Sequence, residues 1–100
     1  MTKKPKYEIQ RTLVISTAHI TKCDDTLLGK DNLYGISVEP LTAGYRLFIN
    51  EDSAARKSAI QDGASKALCD LIELAFKQKC CWLDLDPDGP VVDGLPKFDW

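Results

Sequence analysis

The densest group of reactive side chains is Asp84, Asp86 and Asp88, set at alternate positions in the segment Asp84-Leu-Asp-Pro-Asp-Gly89. Alternate carboxylates followed by glycine match the first half of a calcium loop, where oxygen ligands crowd around a hard cation. The match ends there. The twelfth position, where such a loop needs a bidentate glutamate, is Leu95, and Pro90 follows the glycine directly. Asp84-x-Asp86 at a strand end also fits phosphotransferase nucleophile motifs, but 100 residues are too few for the domain that usually encloses one. The same residues make a turn: Pro87 sets φ at the second position and Asp88-Gly89 permits a tight reversal. Three carboxylates within five residues repel one another, so a partner bearing arginine or lysine is a further way to stabilise them.

His19 is the only histidine, which excludes multi-histidine metal sites and leaves acid-base chemistry to one imidazole. It follows Ser16 and Thr17, so a nucleophile and a base are close in sequence, yet no G-x-S-x-G elbow brings them together. Such residues commonly hydrogen-bond loose backbone groups where a strand turns into a helix. Thr17, His19, Asp84, Asp86 and Asp88 are therefore candidate partner-binding residues, and no catalytic, metal or cofactor role is assigned. The reading is a non-enzymatic protein-interaction module. One alternative is a small divalent-metal-dependent hydrolase or nuclease using the three aspartates, with His19 as base. A second is a nucleic-acid-binding accessory protein using the lysines before Tyr7.

The four cysteines, Cys23, Cys69, Cys80 and Cys81, contain no C-x2-C pair of the kind that points two sulfurs at one zinc ion. Cys69, within an apolar helical stripe, and Cys80-Cys81, leading into an apolar run, read as small buried or half-buried thiols. No glycine-rich phosphate loop is present. Tyr34, Tyr45 and Phe48 fall in expected strands, but the basic-aromatic signature of a sheet that reads RNA is missing. With 13 basic against 15 acidic residues and a net charge of -2, the chain lacks the field of a dedicated nucleic-acid binder, so a nucleic-acid partner is disfavoured. No apolar run reaches the ~20 residues of a membrane span, and the charged start differs from a signal peptide. The expectation is a cytoplasmic protein with a protein partner and no membrane. Oligomeric state is not legible.

One core fits this length, so residues 11–100 are expected to form a single α+β domain behind a mobile basic arm over 1–10. Thr12 to Ser16, with the apolar run Leu13-Val-Ile, reads as a central strand buried on both faces. Thr21 or Asp24 can cap a short helix ending before Gly29. Tyr34 to Glu39 and Tyr45 to Ile49 read as an antiparallel pair closed by Pro40 to Gly44. From Asp52 or Ser53 to about Lys79, apolar residues at helical spacing predict one long amphipathic helix, with Gly63 as a point where it can break. Cys80 to Leu85 is a fourth strand in which Trp82 anchors a core patch. Val91-Val92 can form a return strand, and Phe98 and Trp100 should dock. The order β-α-β-β-α-β fits a small antiparallel or mixed sheet with the helix on one face, possible in a ferredoxin-like arrangement.

Val14-Ile-Ser-Thr-Ala-His-Ile20, Tyr34-Gly35, Trp82-Leu-Asp-Leu-Asp-Pro-Asp-Gly89 and Gly94-Leu-Pro-Lys-Phe-Asp-Trp100 resemble a family of short uncharacterised proteins carried on bacterial plasmids and integrated mobile elements. The resemblance covers about half the chain. It implies a bacterial cytoplasmic accessory protein that binds a host or rival macromolecule, and it carries no assigned activity. The metal alternative has a direct check in melting curves with calcium, magnesium and manganese. An ion held by the aspartates at 100 times its dissociation constant should stabilise the fold by ~2.7 kcal/mol, and curves that do not move remove the metal.

Overall fold

The computed structural model describes residues 9–30, 36–49, 57 and 63–99. They form a small α+β fold: a four-stranded mixed sheet in the order β1-β4-β3-β2, with two helices. The strands are β1 (Thr12–Ile15), β2 (Val38–Leu41), β3 (Gly44–Phe48) and β4 (Trp82–Leu85). The helices are α1 (Lys22–Gly29) and α2 (Lys66–Lys77), and a 3-10 turn over Thr17–His19 links β1 to α1. β1 runs parallel to β4, while β4–β3 and β3–β2 are antiparallel.

Period-two alternation gives the sheet two unlike faces. Leu13, Leu83, Leu47 and Val38 lie in register across all four strands, as do Ile15, Leu85 and Tyr45 across three. They meet Leu28 of α1 and Leu68, Leu71, Ile72 and Ala75 of α2 in one core. Thr12, Val14, Trp82, Asp84, Arg46, Phe48 and Glu39 point the other way.

α1 begins at the cap expected for it, whereas α2 begins at Ser65 and not at the expected Asp52 or Ser53. Thr21 and Asp24 form a reciprocal capping box at α1: the Thr21 Oγ1 accepts from the Asp24 N–H and Asp24 Oδ2 accepts from the Thr21 N–H. Ser65 caps α2, its Oγ accepting from the Leu68 N–H at 3.1 Å. The same Asp24 carboxylate, fully buried, then accepts from the Ser65 N–H at 2.8 Å and from the Ser65 hydroxyl at 2.5 Å. One carboxylate thus ties the two helix N-termini together, where the partial positive charge of both favours an anion.

Several expectations change. β1 is an edge strand, not a central one: its three-residue apolar run still alternates, leaving Val14 41% exposed while Ile15 is buried. A split βαβ unit seats one strand between its two parallel strands; here both β3 and β4 separate β1 from β2, so the ferredoxin-like arrangement is not formed. The described helix after β3 is Lys66–Lys77 instead of 52–79. Gly63 adopts φ +94°, a left-handed conformation that ends any helix before it, and Ser65 starts a new one. Lys57 is helical; the rest of 50–62 lies outside the described residues, as do Tyr34, Gly35, Trp100 and residues 1–8 of the expected arm. β2 runs through Pro40 to Leu41, which an edge strand tolerates, and Thr42-Ala43 make the hairpin turn. Gly44 is required there, because a Cβ would lie 1.9 Å from the Leu85 carbonyl oxygen. Val91-Val92 do not pair as a strand. Residues 90–98 instead run as a strap without regular structure, and Phe98 is half-buried with its N–H on the Ala18 carbonyl.

Replacing Asp24 with alanine strands the N–H groups of Thr21 and Ser65 in a buried setting, so Asp24→Ala should lower stability by about 3 kcal/mol, read from the urea midpoint. A loss below about 1 kcal/mol would mean that the shared carboxylate is not what seats the helices.

Candidate functional site

The structure places the five candidate residues in three different settings. His19 is 1% exposed. Its Nε2 accepts from the Val92 N–H at 2.8 Å and its Nδ1 lies 2.7 Å from the Pro96 carbonyl, so the pattern requires the neutral ring with the proton on Nδ1. The imidazole holds the C-terminal strap to the turn after β1, and in this conformation neither nitrogen is free to act as a base. The ring thus satisfies loose backbone groups, but those of the distant strap and not those of the strand-to-helix turn expected for it.

Asp86 and Asp88 sit in the turn after β4. Asp86 Oδ1 accepts from the Asp88 N–H at 2.9 Å. The Asp86 carbonyl accepts from the N–H groups of Gly89 and Thr17, and its own N–H donates to the Ile15 carbonyl. Asp86 is thereby committed to joining β1 and β4 at their ends, while Asp88 is exposed. Thr17 borders two surface grooves. One, of about 480 Å³, is lined by Asp25, the hairpin around Thr42 and Pro87; the other, of about 260 Å³, is bounded by Phe98 and Asp99. Tyr45 also lines the first, its hydroxyl donating to Asp25 Oδ1 at 2.8 Å.

Asp84 belongs elsewhere, on the sheet face away from the helices. It makes a two-pronged ion pair with Arg46, with Nε to Oδ1 at 2.8 Å and Nη2 to Oδ2 at 2.9 Å. The hydrogen bonds that Arg46 donates to Asp84, and after them the charge of Asp84, raise the Arg46 pKa further above its usual value. The Arg46 guanidinium also lies 5.5 Å from the centre of the Trp82 ring, and Phe48 meets that ring edge-on at 5.4 Å. Trp82 Nε1 donates to Gln10 Oε1 at 2.9 Å. Val14 and Phe48, 41% and 39% exposed, flank this cluster. Asp84 is thus engaged by Arg46 within β4, Asp86 and Asp88 lie beyond the strand end in the turn, and His19 bonds to neither group.

Trp82 is therefore not in the core patch assigned to it. A signal for this was present: Trp82 and Asp84 are two apart in a strand, as are Arg46 and Phe48, and charges on a shared face mark it as the one without helices. Among the described residues no group of three or more histidine, cysteine or acidic side chains converges as a metal site. The four cysteines are unbridged; burial first, then the charge of Asp24, pushes the Cys69 thiol up. No helix among the described residues is long and apolar enough to cross a membrane.

Residues 12–100 match the C-terminal domain of a family of unknown function, DUF5983, and the chain belongs to that family. No curated protein and no solved structure matches it.

Burial, followed by the hydrogen bond and charge of Asp25, raises the Tyr45 pKa above 10.0. A raised pKa favours the neutral phenol in the fold, so its contribution is complete below about pH 10 and is lost as pH climbs through the folded-state value. The stability difference between wild type and Tyr45→Phe should accordingly be level in urea titrations at neutral pH and shrink above pH 10. A difference that stays level into strong alkali would contradict the assigned cause.

Proposed function

We propose that this chain is a protein-interaction module that docks through the sheet face centred on Trp82, and that it does not act by catalysis. One observation carries the reading: a tryptophan, a phenylalanine and an arginine are packed together on the face that the described helices leave uncovered. Trp, Phe and Arg are enriched in protein interfaces, the rings because they offer large area at low entropic cost and arginine because its planar fork makes several directed hydrogen bonds. The Arg46–Asp84 pair is already satisfied, so docking need not supply a new counter-charge to either. The partner chemistry that fits is a protein surface with an aliphatic or aromatic centre and a polar rim. Glu39 beside Arg46 and Asp84 leaves this face slightly acidic, which disfavours a polyanion.

The five residues proposed from the sequence enter in different ways. Asp84 orients Arg46 within the docking face. Half-buried Thr17 borders the two grooves and exposed Asp88 stands in the neighbouring turn, which Asp86 and His19 brace. In keeping with the resemblance to proteins of plasmids and integrated elements, the partner proposed is a host or rival macromolecule of a bacterial cytoplasm.

A second reading has its own support. Aromatic rings and an arginine on a sheet face that the described helices leave uncovered can stack unpaired bases. That binding would weaken steeply with added salt, whereas docking on an apolar centre would not.

The test is capture from bacterial lysate with wild type, Phe48→Ser and the double variant Asp86→Ala, Asp88→Ala. A stoichiometric protein retained by wild type and the acidic-turn variant, but reduced at least tenfold by Phe48→Ser, supports the face. A partner that ignores Phe48 and is released by the acidic-turn variant would move recognition to the turn and end this proposal.

A further inference from the structure

The two edges of the sheet are built differently. β2, at one edge, carries Glu39 and Pro40, and proline has no N–H to offer an incoming strand. Charge and proline are common means by which proteins blunt a sheet edge against further pairing. β1, at the other edge, reads Thr-Leu-Val-Ile, with no charge, no proline and no glycine.

The hydrogen bonds show which groups of β1 face outward. The carbonyls of Arg11 and Ile15 accept from Cys81 and Asp86, so odd-numbered residues turn toward β4. Even-numbered residues turn away, as the Ser16 N–H confirms by donating to the Pro90 carbonyl at 2.9 Å. Thr12 and Val14 therefore direct an N–H and a carbonyl each toward the edge. Beneath that edge lies a groove of about 400 Å³, with Leu13, Ile15, Leu74, Val92 and Leu95 among its lining residues. Two of its lining residues, Val14 at 41% and Val92 at 38%, are exposed aliphatics.

From this asymmetry we infer that β1 pairs antiparallel with β1 of a second copy, joining two sheets into one of eight strands. A two-fold axis at Leu13 places Thr12 of each copy opposite Val14 of the other, which joins the eight outward N–H and carbonyl groups of the two pairs, four from each copy, in four reciprocal hydrogen bonds. Polarity selects the antiparallel sense. β1 begins after Arg11 and ends against the turn of Asp86 and Asp88, so antiparallel pairing brings each basic start to the partner's acidic end. Parallel pairing would set like charges together. Pro90 closes the edge beyond Ile15 and limits the contact to these residues, so the dimer is a weak one. The inference goes beyond the proposed docking face, which the doubled sheet leaves free.

Light scattering of the full chain from about 1 µM to about 1 mM tests it, since small interfaces dissociate in that range. The average mass should rise from one chain to two. Val14→Pro removes an outward N–H and none of the bonds to β4, so it should keep the wild-type circular dichroism and remain monomeric throughout. Amide exchange gives a reading on the unaltered protein: the Thr12 and Val14 amides should slow about tenfold or more at the high concentration, as burial of an exposed strand edge requires. Arg11→Glu should weaken the dimer severalfold. A monomer at every concentration, a dimer that survives Val14→Pro, exchange independent of concentration, or an Arg11→Glu variant that dimerises as wild type would each overturn the antiparallel pairing.

Discussion

A buried charge must be answered by donors, and the carboxylate of Asp24 is answered from both helices at once. Thr21 is the cap of α1 and Ser65 the cap of α2, so satisfying Asp24 requires the two helix N-termini to meet. Both helices then lie over the same side of the sheet, where Leu28, Leu68, Leu71, Ile72 and Ala75 close on the strands. The architecture is two layers, and the other side of the sheet receives no helix among the described residues. The exposure of Phe48 and Val14 follows from where the helices are held.

The polar residues that invited a chemical reading turn out to be joints. His19 fastens the C-terminal strap through Val92 and Pro96, and Asp86 links the ends of β1 and β4 through its backbone. These bonds are made by satisfied groups in fixed geometry, with both ring nitrogens of His19 engaged. Asp84 differs, since its ion pair with Arg46 stands on a face and holds the guanidinium near Trp82. The surface with the composition of an interface is the one whose charges neutralise each other and whose rings pack against each other. Belonging to a family of unknown function adds no activity that competes with this reading.

Much of the local structure was legible in the residues. Thr21 with Asp24 is a capping arrangement that short-range chemistry dictates, and Gly63, expected as a point where the helix can break, adopts a left-handed conformation just before Ser65 caps α2. The Leu13, Ile15, Leu47, Leu83 and Leu85 alternation names the core side of each strand. The pairing of Asp24 with Ser65, 41 residues apart, was not legible, nor was the strand order, because both are contacts that no local preference encodes.

The apolar run of β1 shows how far pattern reaches. Its residues determined a strand, whichever place that strand takes in the sheet, and the tertiary structure alone set it at an edge by seating β4 on its one paired side. Trp82 is the same case: its size called for burial, and the pleat turned it with Asp84 to the face the helices do not reach. Sequence by itself determined the elements, their caps and their apolar sides, since these depend on residues within a few positions of one another. Which face stays bare and which edge stays unpaired depends on how distant segments share a limited core, and only folding decides that.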